Sequence, residues 1–136
     1  MPALIDQKED SYWHLFRQAV LQFNSHDFFS AHDSFEELWL EESGSKRKFL
    51  QGLIQISAGC FHLVSGNKSG ALSLLTKGMQ KIVDFSPDFE GVNVNSLVLD
   101  IKLLIFHTEN FILYTDKIID LLPEIKLSIK ENPQWQ

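Results

Sequence analysis

The stretch FFSAHDSFEELW, residues 28–39, carries the residues of this chain best suited to chemistry. At helical spacing it forms an apolar side from Phe28, Phe35 and Trp39, and places His32 and Glu36 in the middle of that side. On a wheel of about 100° per residue with His32 at zero, Trp39 falls near −20°, Glu36 near +40°, Phe28 near −40° and Phe35 near −60°. Asp33, Glu37, Ser30, Ser34 and Glu41 fall on the far side, which already supplies a polar solvent face. Two titratable groups within an apolar arc must find partners, because an unpaired buried carboxylate is costly.

A second polar line lies on the helix that follows. With Gln51 at zero, Gln55 falls near +40°, His62 near +20° and Ala58 near −20°. Phe49, Leu53, Ile56, Cys60 and Leu63 occupy the opposite side, and apart from Lys48 at its start the polar line carries no charge. The two helices are joined by a short turn and are expected to pack antiparallel. Facing stripes would gather His32, Glu36, Gln51, Gln55 and His62. Such a set could satisfy itself as a buried hydrogen-bond network, or hold a small polar ligand or an ion. His32, Glu36 and His62 would be a reasonable ligand set for a divalent metal such as zinc or iron, with positions left for water. The many carboxylates and Glu-x-x-His repeats of di-iron bundles are not found. In an enzyme, His32 with Glu36 would be the general base pair, but nothing in the sequence points to a substrate.

The elements that position these residues read as helices throughout. Tyr12, Phe16, Ala19, Val20 and Phe23 set a first helix over 10–24. NSHD at 24–27 breaks it, and Asp27 can cap a second helix over 28–42. SGS at 43–45 is a turn, and a third helix runs over 46–64. SGN at 65–67 ends that helix, with Gly66 suited to the left-handed terminal position. A fourth covers 68–85, capped by Asn67, with Gly70 and Gly78 allowing close helix approach. Pro87 and Gly91 make 86–95 a loop. A fifth helix over 95–113 is apolar almost all round, and a short sixth piece, DKIIDLL, stops near Pro123. Nothing alternates convincingly as a strand. The fold class is all-α: one domain over 1–136, a bundle of about five helices with its core at about 10–122 and an extended tail over 123–136.

The 136 residues are 44% hydrophobic and 22% charged, with eleven Phe and three Trp, enough to bury one core. The net charge of −6 argues against nucleic acid and anionic membrane surfaces as partners, since phosphate binding needs clustered Lys and Arg. KRK at 46–48 is the one basic spot and reads as a solvated helix start. The single cysteine, Cys60, allows no intrachain disulfide and no cysteine metal cluster; it fits a buried small hydrophobe in a reducing cytoplasm. On a regular helix it stands about 200° from His62, so the two cannot act as nucleophile and base. MPALIDQKED has neither the basic start nor the apolar run of a signal peptide, and the uncharged run 49–67 is too polar for a membrane span. So many apolar residues in a small bundle are compatible with a homodimer.

AHDSFEELW, then FLQGLIQISAGCFH, then GNKSGA, in this order and spacing, resemble the family of small helical proteins called domain of unknown function 309. The resemblance covers about residues 20–86. It implies a compact multihelical bundle in a small bacterial, archaeal or plastid-lineage protein, and no established activity. The family's pattern carries onto His32, Glu36, Trp39, Gln51, Gln55, His62, Gly66, Asn67, Gly70 and Ala71. GNKSGA lacks the spacing of a phosphate loop and follows a helix, so it is read as a helix–turn–helix junction. Two functions stand side by side. One is a binding module whose pocket of His32, Glu36, Trp39, Gln51, Gln55 and His62 takes a small polar ligand or ion. The other is a structural or protein-interaction module in which the stripe is internal glue and function lies on an apolar surface, such as the fifth helix with Trp135.

Overall fold

A computed structural model describes residues 3–110 and 115–128. Its elements are α1 (Ala3–Asn24), α2 (Phe28–Leu40), α3 (Gly44–Val64), α4 (Lys68–Ile82) continued by a single 3₁₀ turn (Val83–Phe85), β1 (Asp88–Phe89), β2 (Val92–Asn93), α5 (Val94–Asn110) and α6 (Thr115–Leu121). The fold is an all-α bundle, as the periodicities predict. The expected sixth piece is a helix of seven residues.

The core follows directly from the apolar spacing. Phe16, Phe23, Phe28, Phe35, Phe49, Leu53, Ile56, Leu75, Ile82, Leu97 and Ile101 are fully buried. Burial of each such side chain stabilises by about 1.5–3 kcal/mol. Phe16 meets Phe35 edge-to-face at 5.8 Å, and Phe23 meets Phe28 at 5.1 Å, so aromatic pairs join α1 to α2. α3 is central, with α2 against one side and α4 against the other.

The caps fall where their residue types require. Asp27 Oδ1 accepts from the Ser30 backbone N–H at 3.3 Å, and Asn67 Oδ1 accepts from the Gly70 backbone N–H at 3.0 Å. Gly66, at φ 89°, takes the left-handed position that ends α3, and the Asn67 N–H reaches back to the His62 carbonyl at 2.7 Å.

The elements and their packing differ from the sequence reading at the start of α1, at Ser34 and in residues 86–95. α1 starts at Ala3, a turn and more before Asp10. Ser34 is buried rather than solvated, because α1 covers that side of α2; its hydroxyl donates to Gln22 Oε1 at 2.8 Å. Residues 86–95 hold a two-stranded ribbon, with Asp88 paired to Asn93 and Phe89 to Val92. Strands of two residues are too short to show a period of two in sequence. The ribbon packs Phe89 against Phe49 at 4.9 Å and Phe85 at 4.6 Å, which explains an aromatic residue inside a loop.

The chain beyond α6 runs back extended. Val92 and Leu127 form an isolated antiparallel bridge, and the Ser128 N–H donates to the Gly91 carbonyl at 2.8 Å. Trp135 lies outside the described residues. α5 buries Leu97, Val98, Ile101 and Leu104 and exposes Leu99, Leu103 and Phe106, so its all-round apolarity is half core and half surface. Among the described residues no helix is long and apolar enough to cross a membrane.

Candidate ligand-binding face

Two contacts fix how α2 lies along α3. Near the start of α2, the Phe29 ring stands 5.7 Å from the Phe61 ring near the end of α3. At the other end, the Arg47 guanidinium stacks 3.8 Å above the Trp39 ring. The helices are therefore antiparallel neighbours, as their short turn predicts. His32 and Glu36 lie between these two contacts on α2, and Gln51 and Gln55 lie between them on α3.

The stripe does not go into the core. Glu36 is exposed, and His32 is 31% exposed at its side chain, with Nδ1 3.2 Å from the Asp33 carboxylate on its own helix. Gln51, Gln55, Ala58 and His62 are all half-buried. The wheel placed His32 and Glu36 on the right side of α2 but at the wrong depth. They sit at the rim of the α2–α3 contact, because Phe28, Ala31, Phe35 and Leu38 already fill the side that meets the core.

Neighbouring elements hold the α3 stripe in place. Lys81 on α4 donates from Nζ to Gln55 Oε1 at 2.9 Å. Asn67, the cap of α4, sets its amide nitrogen 3.2 Å from His62 Nδ1. Trp39 is half-buried, so it serves both as a packing residue and as the platform for Arg47. Its indole Nε1–H is buried without a hydrogen-bond partner among the described residues.

The gathering of His32, Glu36 and His62 expected from the wheel is not what the structure shows. Among the described residues no group of three or more His, Cys, Asp or Glu could hold a metal ion. The reason is axial distance. His62 is level with Phe29, while Glu36 is seven residues further along α2, about 10 Å at 1.5 Å per residue. His32 and Glu36 themselves are one turn apart and share one face.

Arg47 and Lys81 escaped sequence reasoning. KRK reads in sequence as a solvated helix start, yet each of its residues has a partner. Lys46 lies over the Tyr12 ring at 4.3 Å, Arg47 over Trp39, and Lys48 donates to Asp84 Oδ2 at 2.9 Å. The available signal was the aromatic content of the helices that flank this turn. Cys60 is fully buried, and desolvation pushes its thiol far above the usual range. It is the packed hydrophobe that its position on α3 predicts.

Comparison with known proteins gives a family match over the segment that carries this face. A family described as "Domain of unknown function (DUF309)" matches residues 16–74. An uncharacterized protein of Aquifex aeolicus (strain VF5) is 24% identical over 84 residues, which is 61% of this chain. That match spans only 25% of the relative's own length. The segment bearing His32, Glu36, Trp39, Gln51, Gln55 and His62, from the middle of α1 to the middle of α4, is thus the part of this chain that is similar to the domain of unknown function (DUF309).

Proposed function

We propose that this protein is a binding module that takes a small polar ligand or ion on the open α2–α3 face. The observation that carries this reading is the state of the α3 stripe. Gln51, Gln55, Ala58 and His62 are half-buried and uncharged, and Lys81 and Asn67 hold two of them from outside. A face that is neither core nor carpeted with solvated charge presents donors and acceptors at low ordering cost. His32 and Glu36 flank it one helical turn apart. They form the anchoring pair for a polar guest, or two ligands for a divalent ion whose remaining positions go to water. The Gln amides orient the guest, and His62 marks the far end of the face. No catalytic step is assigned.

The reading of the stripe as internal glue needs Glu36 buried beside a partner, whereas Glu36 is exposed. The test is a titration of the ¹⁵N-labelled protein with Zn²⁺, Mn²⁺, inorganic phosphate and citrate, repeated on His32→Ala. At least one solute should give saturable shifts confined to α2 and α3 that the variant loses. The variant should melt within about 0.5 kcal/mol of the parent, as surface changes do. Four silent solutes, or shifts that His32→Ala leaves intact, overturn the proposal. A variant that loses several kcal/mol favours the glue reading instead.

A further inference from the structure

A cleft of about 730 Å³ opens on the other side of α2, between α1, the end of α2 and the start of α3. Its volume lies within the range of small-molecule sites. Tyr12 and Trp13 form one wall, their rings edge-to-face at 5.0 Å. Four carboxylates line it, Glu9, Glu37, Glu41 and Glu42, against one lysine, Lys46. That lysine is already seated on the wall. Its ammonium is 4.3 Å from the Tyr12 ring centre, 5.8 Å from that of Trp13 and 3.7 Å from the Glu42 carboxylate. The Tyr12 hydroxyl is buried without a hydrogen-bond partner among the described residues. Burial, with Glu90 and Glu42 nearby, keeps it protonated at any ordinary pH.

We propose that this cleft binds an aliphatic polyammonium ligand and that the Lys46 ammonium is a resident stand-in for one of its charged ends. Two aromatic rings beside a carboxylate are the chemistry that holds an ammonium ion, since the ring faces are negative and the charge is balanced at the rim. Lys46 occupies that seat from a flexible four-carbon stem whose side chain is 30% exposed, so it can swing into water. The rim carries more charge than one ammonium needs. Glu37 and Glu41 are exposed, one turn apart, and neither has an ion-pair partner among the described residues. Like charges at that spacing destabilise a helix unless a cation lies between or over them. The Cβ atoms of residues four apart on a helix stand about 5–6 Å from each other, so two flexible carboxylates there can span the distance of about 6 Å between two amines joined by a four-carbon chain. The methylenes of such a chain would lie along the Tyr12 and Trp13 wall, beside the seat that the Lys46 ammonium fills now.

This site shares α2 with the face proposed above but none of its residues, so either reading stands or falls alone. The experiment is calorimetric titration of the full chain with spermidine, with Mg²⁺ and with Nα-acetyl-lysine methylamide, on the parent, Lys46→Ala and Glu37→Gln/Glu41→Gln. Spermidine should bind with a stoichiometry of one. Lys46→Ala should tighten it about three- to tenfold by emptying the seat, and the double glutamine variant should weaken it by a similar factor. Mg²⁺ at equal concentration should not displace it, since an inorganic ion gains little from ring faces. No spermidine binding to parent and Lys46→Ala alike overturns the proposal. So does binding that Lys46→Ala leaves unchanged or weakens, or full competition by Mg²⁺, which marks a plain acidic surface. Equal binding of the single-ammonium lysine derivative also overturns it, in favour of a lysine side chain on a partner protein.

Discussion

Arg47 closes the end of α2. Its Nη1 donates to the Trp39 carbonyl at 2.9 Å and to the Glu42 carbonyl at 3.1 Å, while its guanidinium plane lies on the Trp39 ring. The last carbonyls of a helix have no partner within it, and α2 has no basic residue in its last turn. A charged donor from the next helix supplies both needs at once, and it fixes the turn that sets α2 against α3. Arg47→Ala should lower stability by about 1–3 kcal/mol, read from the urea midpoint, and Arg47→Lys should recover less than half of that. An alanine variant as stable as the parent would mean that water replaces the guanidinium at no cost. This residue also shows what the sequence can and cannot reveal at this scale. His32 and Glu36 stand out because their types conflict with the apolar face that carries them. Arg47 stands in a basic run of the kind common at solvated helix starts, and its meaning comes only from the tryptophan eight residues earlier. The depth of Glu36 was misread for a related reason. Angular position on a wheel gives a direction, but burial depends on how large the neighbouring side chains are, and Phe28 and Phe35 hold the rim outward.

The helices were legible as elements because their apolar residues recur at a regular spacing and their caps are chemically distinct. Asp27, Asn67 and Gly66 each do what their residue type predicts. The contact between α3 and α4 was only half visible. Gly78 was read as a place of close approach, and a Cβ there would stand 2.8 Å from the Gly52 carbonyl oxygen and 3.0 Å from the Ile56 nitrogen. Gly52, which receives Gly78, passed unnoticed, although a Cβ on it would fall 2.5 Å from Ile82 Cγ2 and 3.2 Å from the Gly78 carbonyl oxygen. The two glycines form one crossing, with backbone on both sides. A single glycine in a helix shows only that something approaches, and its counterpart is identified by the packing. At Gly70, the other expected approach point, the three nearest atoms that a Cβ would meet all belong to the side chain of Asn67, its own helix cap. The two positions therefore separate cleanly. Gly78→Ala should cost about 2–3 kcal/mol, because backbone cannot move aside as a side chain can. Gly70→Ala should cost less than about 1 kcal/mol, the loss of part of a cap offset by better helix propensity. Thermal unfolding of both variants checks this. Similar losses would place the tight contact somewhere other than the α3–α4 crossing. Since α3 also carries Gln51, Gln55 and His62, a shift of this crossing would move the proposed binding face relative to Lys81.

At the scale of the whole molecule, one side chain ties the two ends of the described chain together. The Asn24 amide nitrogen donates to the Ile125 carbonyl at 2.9 Å, and its oxygen accepts from the Ile125 N–H at 2.9 Å. Asn24 thus imitates a paired strand from the last position of α1, 101 residues away in sequence. The segment it holds also accepts, at the Lys126 carbonyl, from the Asn93 N–H of β2 at 2.9 Å, and it buries Ile125. The described part of the tail, 123–128, is extended as expected, but no sequence pattern could say what it pairs with. A lone asparagine at a helix end reads as a local cap, and contacts of such range leave no period. Asn24→Ala would leave the N–H and carbonyl of a buried residue unpaired, which should cost about 2–4 kcal/mol in all. Asn24→Asp would keep the acceptor but set an oxygen against the Ile125 carbonyl, so it should recover little. The more telling readout is local. The Ile125 and Asn93 amides should exchange with solvent much faster in Asn24→Ala, while amides in the α3–α4 crossing keep exchanging only on global unfolding. If all amides instead lose protection together, the strap and the bundle are one cooperative unit, and Asn24 secures the core itself rather than its closing segment.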